Sequence, residues 1–154
     1  MSRENLHIRP LQPGDEADWR RLWKLYLEYY ASRVEGIVYQ TTWQRLLAAD
    51  DNEFNGLMAF LDGRAVGLTH YLFHRHCWHV ENVCYLQDLV VDTDQRGKST
   101  GRALIEAVYA EADAAGCPQV YWLTQDFNEA GRRLYDRVGE LTPFIKYQRP
   151  AQTG

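Results

Sequence analysis

One segment constrains the fold of this chain more than any other: residues 86–105 predict a buried strand, a short polar turn and a helix. A glycine in the turn lets several unpaired backbone N–H groups at the start of the helix point at one spot. That spot is also the positive end of the helix dipole, where anions bind well. The segment therefore predicts a site for a phosphorylated ligand.

A nucleotide P-loop is one candidate for this site, because Gly97-Lys98-Ser99 matches the end of the pattern G-x-x-x-x-G-K-[ST]. The pattern also needs a glycine at the position where this chain has Asp92. Asp92 and Asp94 would repel a triphosphate. The P-loop interpretation is therefore poor.

A second pattern fits better, namely R-x-x-G-x-G/A after a strand, with Arg96 and Gly101 in place and Ser99 where the first glycine is usual. A later segment, residues 128–135, matches N-x-x-A-x-x-L/F-Y except that Gly131 replaces the alanine. With both motifs the chain resembles the acetyl-coenzyme A transferases of the GNAT superfamily. Three further segments, residues 39–43, 85–92 and 120–124, are similar to the fungal GNAT branch that acetylates histones, polyamines and D-amino acids.

The resemblance implies an N-acetyltransferase that moves an acetyl group from acetyl-coenzyme A directly to a primary amine. The amine is a small amine, a polyamine, an amino acid or a protein lysine. One alternative is a coenzyme A-binding regulatory or interaction module that has the fold but no turnover. Ser99, Gly131 and Gln87, which depart from the family patterns, keep that alternative open.

The resemblance also implies which residues hold acetyl-coenzyme A. Backbone N–H groups of residues 97–102 bind the pyrophosphate, and the pantetheine arm pairs like an added strand with the edge of residues 89–91. The predicted cofactor-binding residues are Leu89, Val90, Val91, Arg96, Gly97, Lys98, Ser99, Thr100, Gly101, Arg102, Asn128 and Tyr135.

Two catalytic residues are implied, Tyr135 and Asp88. A phenol of pKa about 10 is protonated at neutral pH and can give its proton to a departing thiolate of pKa about 8.5. Tyr135 is therefore the candidate general acid, although its helix alone favours a packed aromatic residue. Diamine acetyltransferases have a glutamate base where this chain has Gln87. The adjacent Asp88 is a candidate to accept the proton through water or to hold a substrate ammonium group. The alternatives are that Asp88 is a solvated or salt-bridged strand residue and that water alone is the base.

Strand alternation places Gln87 and Asp88 on opposite faces, so only one of them points into the site. A helix rich in aromatic residues, from Trp19 to Tyr30, would line the acceptor cleft as the equivalent helix does in diamine acetyltransferases. Aromatic rings with a carboxylate make a suitable cage for an ammonium group. The predicted substrate-binding residues are Tyr26, Glu28, Tyr30, Gln87 and Asp88.

No metal site is predicted, although His70, His74, His76 and His79 lie close together with Cys77 among them. Their spacing matches no fixed ligand pattern, and no matching Cys/His pair follows. A more useful hypothesis is that His74 or His76 borders the amine pocket.

Charge and composition exclude other classes. The net charge of −4 argues against duplex nucleic-acid binding, which needs a basic face, and no apolar run approaches the length of a membrane span. Three cysteines without a C-x-x-C pair fit reduced thiols in a cytoplasmic protein. By family analogy the chain is expected to form a homodimer. Dimers in the family often form through a C-terminal strand, which residues 144–147 would provide here.

The pattern along the 154 residues predicts an α/β (α+β) fold in one domain, residues 1–150, followed by a tail at 151–154. Asp62-Gly63 predicts a two-residue hairpin turn, and Thr41 with Gln44 predicts a capping box for a helix through Ala49. The expected sheet is mixed and mostly antiparallel, with six to seven strands, and about four helices flank it.

Overall fold

The computed structural model describes residues 5–95 and 99–151. The chain divides into two compact units, Met1–Leu123 and Thr124–Gly154. A single domain over residues 1–150 stays a prediction. In the described parts of the chain, no helix combines the length and the apolar character that a membrane crossing requires.

The described residues of the first unit form one sheet, three α-helices and two short 3₁₀ turns. Its strands and α-helices are β1 (Leu6–Pro10), α1 (Glu16–Tyr29), α2 (Gly36–Leu46), β2 (Asn55–Leu61), β3 (Arg64–His74), β4 (Val83–Val91), α3 (Thr100–Ala114) and β5 (Val120–Tyr121). The strands lie in the order β1-β2-β3-β4-β5; the first four are antiparallel, and β5 is parallel to β4. The second unit contains α4 (Glu129–Val138). The prediction of a mixed, mostly antiparallel sheet with about four helices is confirmed.

The predicted number of six to seven strands is wrong, since the described residues form five. The strand expected at residues 144–147 is absent from the described second unit, where Phe144, Ile145 and Tyr147 are exposed. A strand needs both a partner for its backbone groups and burial of its apolar face, and this segment has neither in the described residues.

The hairpin between β2 and β3 forms as predicted. Both central residues of the turn have positive φ, 50° at Asp62 and 84° at Gly63. This is the type I′ geometry, whose twist matches that of the flanking strands. The turn fixes the register of β3 against β2.

Helices cover both faces of the sheet in the first unit. Leu68 of β3 packs in the main core cluster with the α1 and α2 residues Trp19, Trp23 and Trp43. Successive strand residues face opposite sides, so Gly67 faces the other helix, α3. A Cβ at Gly67 would lie only 2.9 Å from Leu104 Cδ1 and 3.3 Å from Thr100 Cγ2. Glycine at this position therefore lets the start of α3 approach the sheet closely, beside the end of β4.

The second helix begins earlier than the capping-box pattern at Thr41 predicts. It starts at Gly36 and ends at Leu46 rather than Ala49. Tyr39, Trp43 and Leu46 all pack in the core cluster, and their spacing follows one face of a helix. Burial of these three side chains fixes the helix bounds, and it outweighs the local capping signal.

Candidate active site

A β-bulge in β4 shapes the centre of the candidate site. His70 of β3 is opposite Asp88, but its neighbour Tyr71 is opposite Leu86, so Gln87 is the extra residue of β4. The Thr69 hydroxyl donates a hydrogen bond of 2.8 Å to the backbone carbonyl of Asp88 beside the bulge. Gln87 is exposed, whereas the Asp88 side chain is buried. The two residues thus differ in exposure, but the bulge interrupts strand alternation here, and their placement on opposite faces stays a prediction.

The Asp88 carboxylate lies in a network of hydrogen bonds. Its Oδ2 is 2.8 Å from Nδ1 of His70, and Nε2 of His70 is 2.9 Å from the indole nitrogen of Trp19 on α1. All three side chains are buried. A buried carboxylate is stable only when it is hydrogen-bonded, and this network meets that requirement.

Tyr26 of α1 also reaches this carboxylate, through a hydrogen bond from its hydroxyl. Burial, followed by the negative charge of Asp88, raises the pKa of Tyr26. Burial and then the same charge also raise the pKa of Tyr85 on β4. Both phenols therefore stay protonated near neutral pH, and Asp88 lies among neutral aromatic side chains.

The structure brings some of the predicted substrate residues together and not others. Tyr30 packs on Tyr26, with ring centroids 5.0 Å apart, and so extends the aromatic surface beside Asp88. Glu28 is exposed; burial and, after it, the charge of Glu28 raise the pKa of Tyr39 on α2. Tyr39 contacts the ring of Trp19, so the charge of Glu28 acts beside the Asp88 network and not on Asp88 itself.

The later half of β4 has an open side. β4 pairs with β3 from residue 83 to residue 91, but it pairs with β5 only at Cys84 and Tyr85. The side of β4 that faces away from β3 is thus not paired with β5 at Leu89, Val90 and Val91. These are the backbone groups predicted to pair with the pantetheine arm.

The phosphate loop is described only in part, because Arg96, Gly97 and Lys98 lie outside the described residues. Ser99 precedes α3 with φ 69°, a left-handed conformation. Thr100 is buried at the first position of the helix, and no acidic residue occupies the first turn. Arg102, expected to supply positive charge, is paired with Glu106 at 2.7 Å.

Two arginines neutralise the acidic residues that precede this loop. Arg21 of α1 is 2.9 Å from Asp92 and also donates to the backbone carbonyl of Ala65. Arg64, beside the hairpin turn, lies 3.8 Å from Asp92 and 3.4 Å from Asp94. The repulsion that Asp92 and Asp94 would exert on a phosphate is thereby reduced.

The second unit holds the other two predicted residues, Asn128 and Tyr135. Asn128 caps α4: its Oδ1 accepts from the Gly131 N–H at 3.1 Å, and its Nδ2 donates to Thr124 Oγ1 at 3.0 Å. A Cβ at position 131 would lie 2.5 Å from Asn128 Nδ2, so glycine there fits this capped conformation. Tyr135 lies within α4 and accepts the N–H of Gly139 at its backbone carbonyl.

The histidines separate into different environments. His70 belongs to the Asp88 network, while Nε2 of His74 lies 2.8 Å from the Tyr121 hydroxyl. His76 and His79 lie in the exposed connection before β4. Among residues 5–95 and 99–151, no three His, Cys, Asp or Glu side chains converge into a group that could hold a metal ion.

Sequence reasoning missed Trp19 and His70 as partners of Asp88. One signal was present: His70 is a titratable residue in the middle of the apolar run of β3. Such a residue needs a buried partner. The register between β3 and β4 places Asp88 directly opposite it, but the bulge that sets this register leaves no mark in the sequence.

Ser99 gives a first testable prediction, because an L-residue with φ 69° is strained whereas glycine is not. We expect Ser99→Gly to bind acetyl-coenzyme A at least as well as the wild type. Ser99→Val should raise the KM for acetyl-coenzyme A about tenfold, since left-handed backbone costs roughly 1–2 kcal/mol and is worst for β-branched residues. Steady-state kinetics and unfolding curves for both variants check this. Equal KM values for the two variants would contradict it.

Comparison with known proteins gives consistent matches. The model of the acetyltransferase (GNAT) family matches residues 19–139. The chain is 37% identical over 151 residues to the D-amino-acid N-acetyltransferase HPA3 of Saccharomyces cerevisiae, covering 97% of this chain and 93% of that protein. It is 32% identical over 74 residues to the thialysine N-epsilon-acetyltransferase of Bos taurus, covering 48% of this chain and 43% of that protein.

Solved structures show the same fold. The aminoglycoside acetyltransferase AAC(6')-Iy in complex with a bisubstrate analogue has a TM-score of 0.83 at 19% identity, over 96% of this chain and 99% of that one. The same enzyme in complex with CoA has a TM-score of 0.81 at 19% identity, over 97% of this chain and 98% of that one.

Proposed function

Because the chain belongs to the GNAT family of acetyltransferases, we propose that it transfers an acetyl group from acetyl-coenzyme A directly to the primary amine of a cationic small molecule. One observation carries the substrate class: the buried carboxylate of Asp88 lies beside the open side of β4, among the neutral aromatic side chains of Tyr26 and Tyr85. A negative charge with aromatic rings attracts an ammonium group.

The coenzyme part of the proposal rests on two features of the first unit. The backbone of residues 89–91 is not paired with β5, so an extended pantetheine arm can pair with it as an added strand. The start of α3 has no acidic residue in its first turn and therefore favours a pyrophosphate. We propose that Arg96, Gly97 and Lys98 contribute to the same pyrophosphate site, and that Asn128 contacts the pantetheine arm.

The proposed chemistry conserves protons. An ammonium substrate loses one proton to Asp88 through water, and its nitrogen then attacks the thioester carbonyl carbon. As the C–S bond breaks, the thiolate accepts a proton from Tyr135 and becomes the free thiol of coenzyme A. The nitrogen loses a second proton on forming the amide. Tyr135 is reprotonated, and one proton in total passes to solvent.

The relatives favour a small acceptor over a protein. By their names, the HPA3 protein of Saccharomyces cerevisiae acts on the nitrogen of D-amino acids, and the Bos taurus enzyme acts on the ε nitrogen of thialysine. Both are named as enzymes, so they do not favour a module without turnover. Gln87, Glu28 and Tyr30 remain proposed contacts to the acceptor.

The test is release of coenzyme A thiol from acetyl-coenzyme A, measured against a panel of amines. The panel should contain D- and L-amino acids, lysine analogues, polyamines, aminoglycosides and a lysine-bearing peptide. We expect turnover with small cationic amines and little with the peptide. Tight binding of acetyl-coenzyme A without turnover of any amine would overturn the proposal in favour of a binding module. A thermal shift with ATP and magnesium, but none with acetyl-coenzyme A, would overturn both.

We also propose that the protein works as a cytoplasmic homodimer. Apart from family analogy, this is supported by the exposed apolar side chains of the second unit, Leu141, Phe144, Ile145 and Tyr147. Isolated apolar residues are common on surfaces, but several in one short segment are typical of a contact region. Light scattering gives the mass in solution, and a monomer at assay concentration would contradict this proposal.

A further inference from the structure

The hydrogen bonds of Trp19, His70 and Asp88 fix the position of each proton. An indole nitrogen can only donate, so Nε2 of His70, 2.9 Å away, is the acceptor and carries no proton. The single ring proton is therefore on Nδ1, which donates to Oδ2 of Asp88 at 2.8 Å. His70 is neutral in this arrangement, and the His70–Asp88 pair carries one negative charge.

A doubly protonated His70 does not fit this arrangement. An imidazolium ring would place an N–H group on Nε2 against the N–H group of Trp19, with 2.9 Å between the two nitrogens. Trp19 is fully buried and His70 is only 4% exposed, so water cannot separate the two donors. Without the Trp19 donor, a histidine in contact with a carboxylate would readily take a second proton, since a neighbouring negative charge favours its charged form.

We propose that Trp19 is a positioning residue for acetyl transfer, because its N–H group keeps His70 neutral and thereby leaves Asp88 with a full negative charge for the substrate ammonium. This inference rests on the proposed function. If His70 took a second proton, the pair would have no net charge. It would then neither attract a cationic amine nor readily accept its proton.

The other titratable groups around the pair do not change charge near neutral pH. Tyr26 on α1 donates to Asp88, and Tyr85 on β4 is close enough to be influenced by its charge. Burial and the Asp88 charge raise the pKa of both. On α2, Tyr39 contacts the ring of Trp19, and burial raises its pKa too. A change in net charge here therefore comes from His70 or Asp88.

The chain offers a matched pair of variants. Trp19→Phe removes the indole N–H while keeping an aromatic ring. Trp23→Phe removes the same group from the stacked neighbour, whose ring centroid is 5.3 Å from that of Trp19. The Trp23 ring also contacts His70, with centroids 5.9 Å apart, but its Nε1 is buried without a hydrogen-bond partner in the described part of the chain. Loss of this N–H therefore removes no hydrogen bond from His70. Both substitutions open a similar space in the core, and the comparison therefore separates the hydrogen bond from packing.

The first measurement is the ¹⁵N NMR spectrum of the His70 ring in the unliganded protein. We expect the neutral Nδ1–H form in the wild type and in Trp23→Phe from about pH 6 to 8, and a large imidazolium fraction at about pH 6 in Trp19→Phe. The inference is overturned by an Nε2–H form or an imidazolium in the wild type at about pH 7. Identical spectra of the two variants also overturn it. If Trp19→Phe does not fold, the wild-type spectrum alone tests the inference.

The second measurement is the KM for an accepted amine as a function of pH. At about pH 6 we expect the KM of Trp19→Phe to be about tenfold higher than the KM of Trp23→Phe. At about pH 8.5, where a histidine loses its second proton, the two KM values should be similar. Equal pH profiles would overturn the inference. If no amine is acetylated at all, the proposed function fails, while the NMR spectra still report the protonation of His70.

Discussion

Asp88→Asn is expected to lower kcat/KM for the amine by about a hundred- to ten-thousand-fold, the usual contribution of a general acid or base. Asparagine has nearly the same shape, and its carbonyl oxygen can still accept the Nδ1–H of His70. The variant therefore removes the negative charge and the proton acceptor with little change in packing. Thiol-release kinetics at saturating acetyl-coenzyme A measure the effect.

Glu16→Gln is the control for this variant. Glu16 is an exposed carboxylate at the start of α1, paired only with Arg20 among its described neighbours. Such pairs contribute about 0–1 kcal/mol, so kcat/KM should stay within roughly twofold of the wild type. A folded Asp88→Asn protein with more than half of the wild-type activity would remove Asp88 from the reaction. Unfolding curves should accompany the assay, because loss of a charge-assisted buried hydrogen bond costs about 1.5–3 kcal/mol.

Tyr135→Phe should reduce kcat by a similar factor, about a hundred- to ten-thousand-fold, because the departing thiolate loses its proton donor. Binding of acetyl-coenzyme A, measured by calorimetry, should change much less. The control is Tyr147→Phe, which removes a hydroxyl from an exposed tyrosine of the same unit and should leave kcat unchanged. An undiminished kcat in Tyr135→Phe would exclude Tyr135 as the acid without affecting the assignment to the family.

Much of the fold follows from local patterns. The Asp62-Gly63 turn, the bounds of β4 and the helix after the phosphate loop all have short-range signals, namely paired positive-φ residues, a continuous apolar run and helical spacing. The number of strands does not have such a signal. Residues 144–147 have the composition of a strand, but pairing depends on a partner elsewhere in the chain.

The candidate site shows the same division between local and distant effects. The sequence offers Asp88 as a candidate, because it is the carboxylate next to Gln87. It does not identify His70 as the partner, because that contact depends on the bulge opposite Tyr71. Nor does it show that Ser99 adopts positive φ, since serine departs from the glycine of the pattern and only the backbone geometry reveals which conformation it takes.

The ion pairs of Arg64 connect the β2–β3 turn to the segment that leads into the coenzyme loop. Arg64 is the first residue after the turn, and its guanidinium lies against the two carboxylates that lead into the loop. An insertion or a change of twist in that turn would move the guanidinium away from Asp94 and leave Asp92 with Arg21, which would increase the negative charge next to the expected diphosphate. Variation in a surface hairpin, distant in sequence and free of any substrate contact, would then tune how strongly the enzyme holds its acetyl donor.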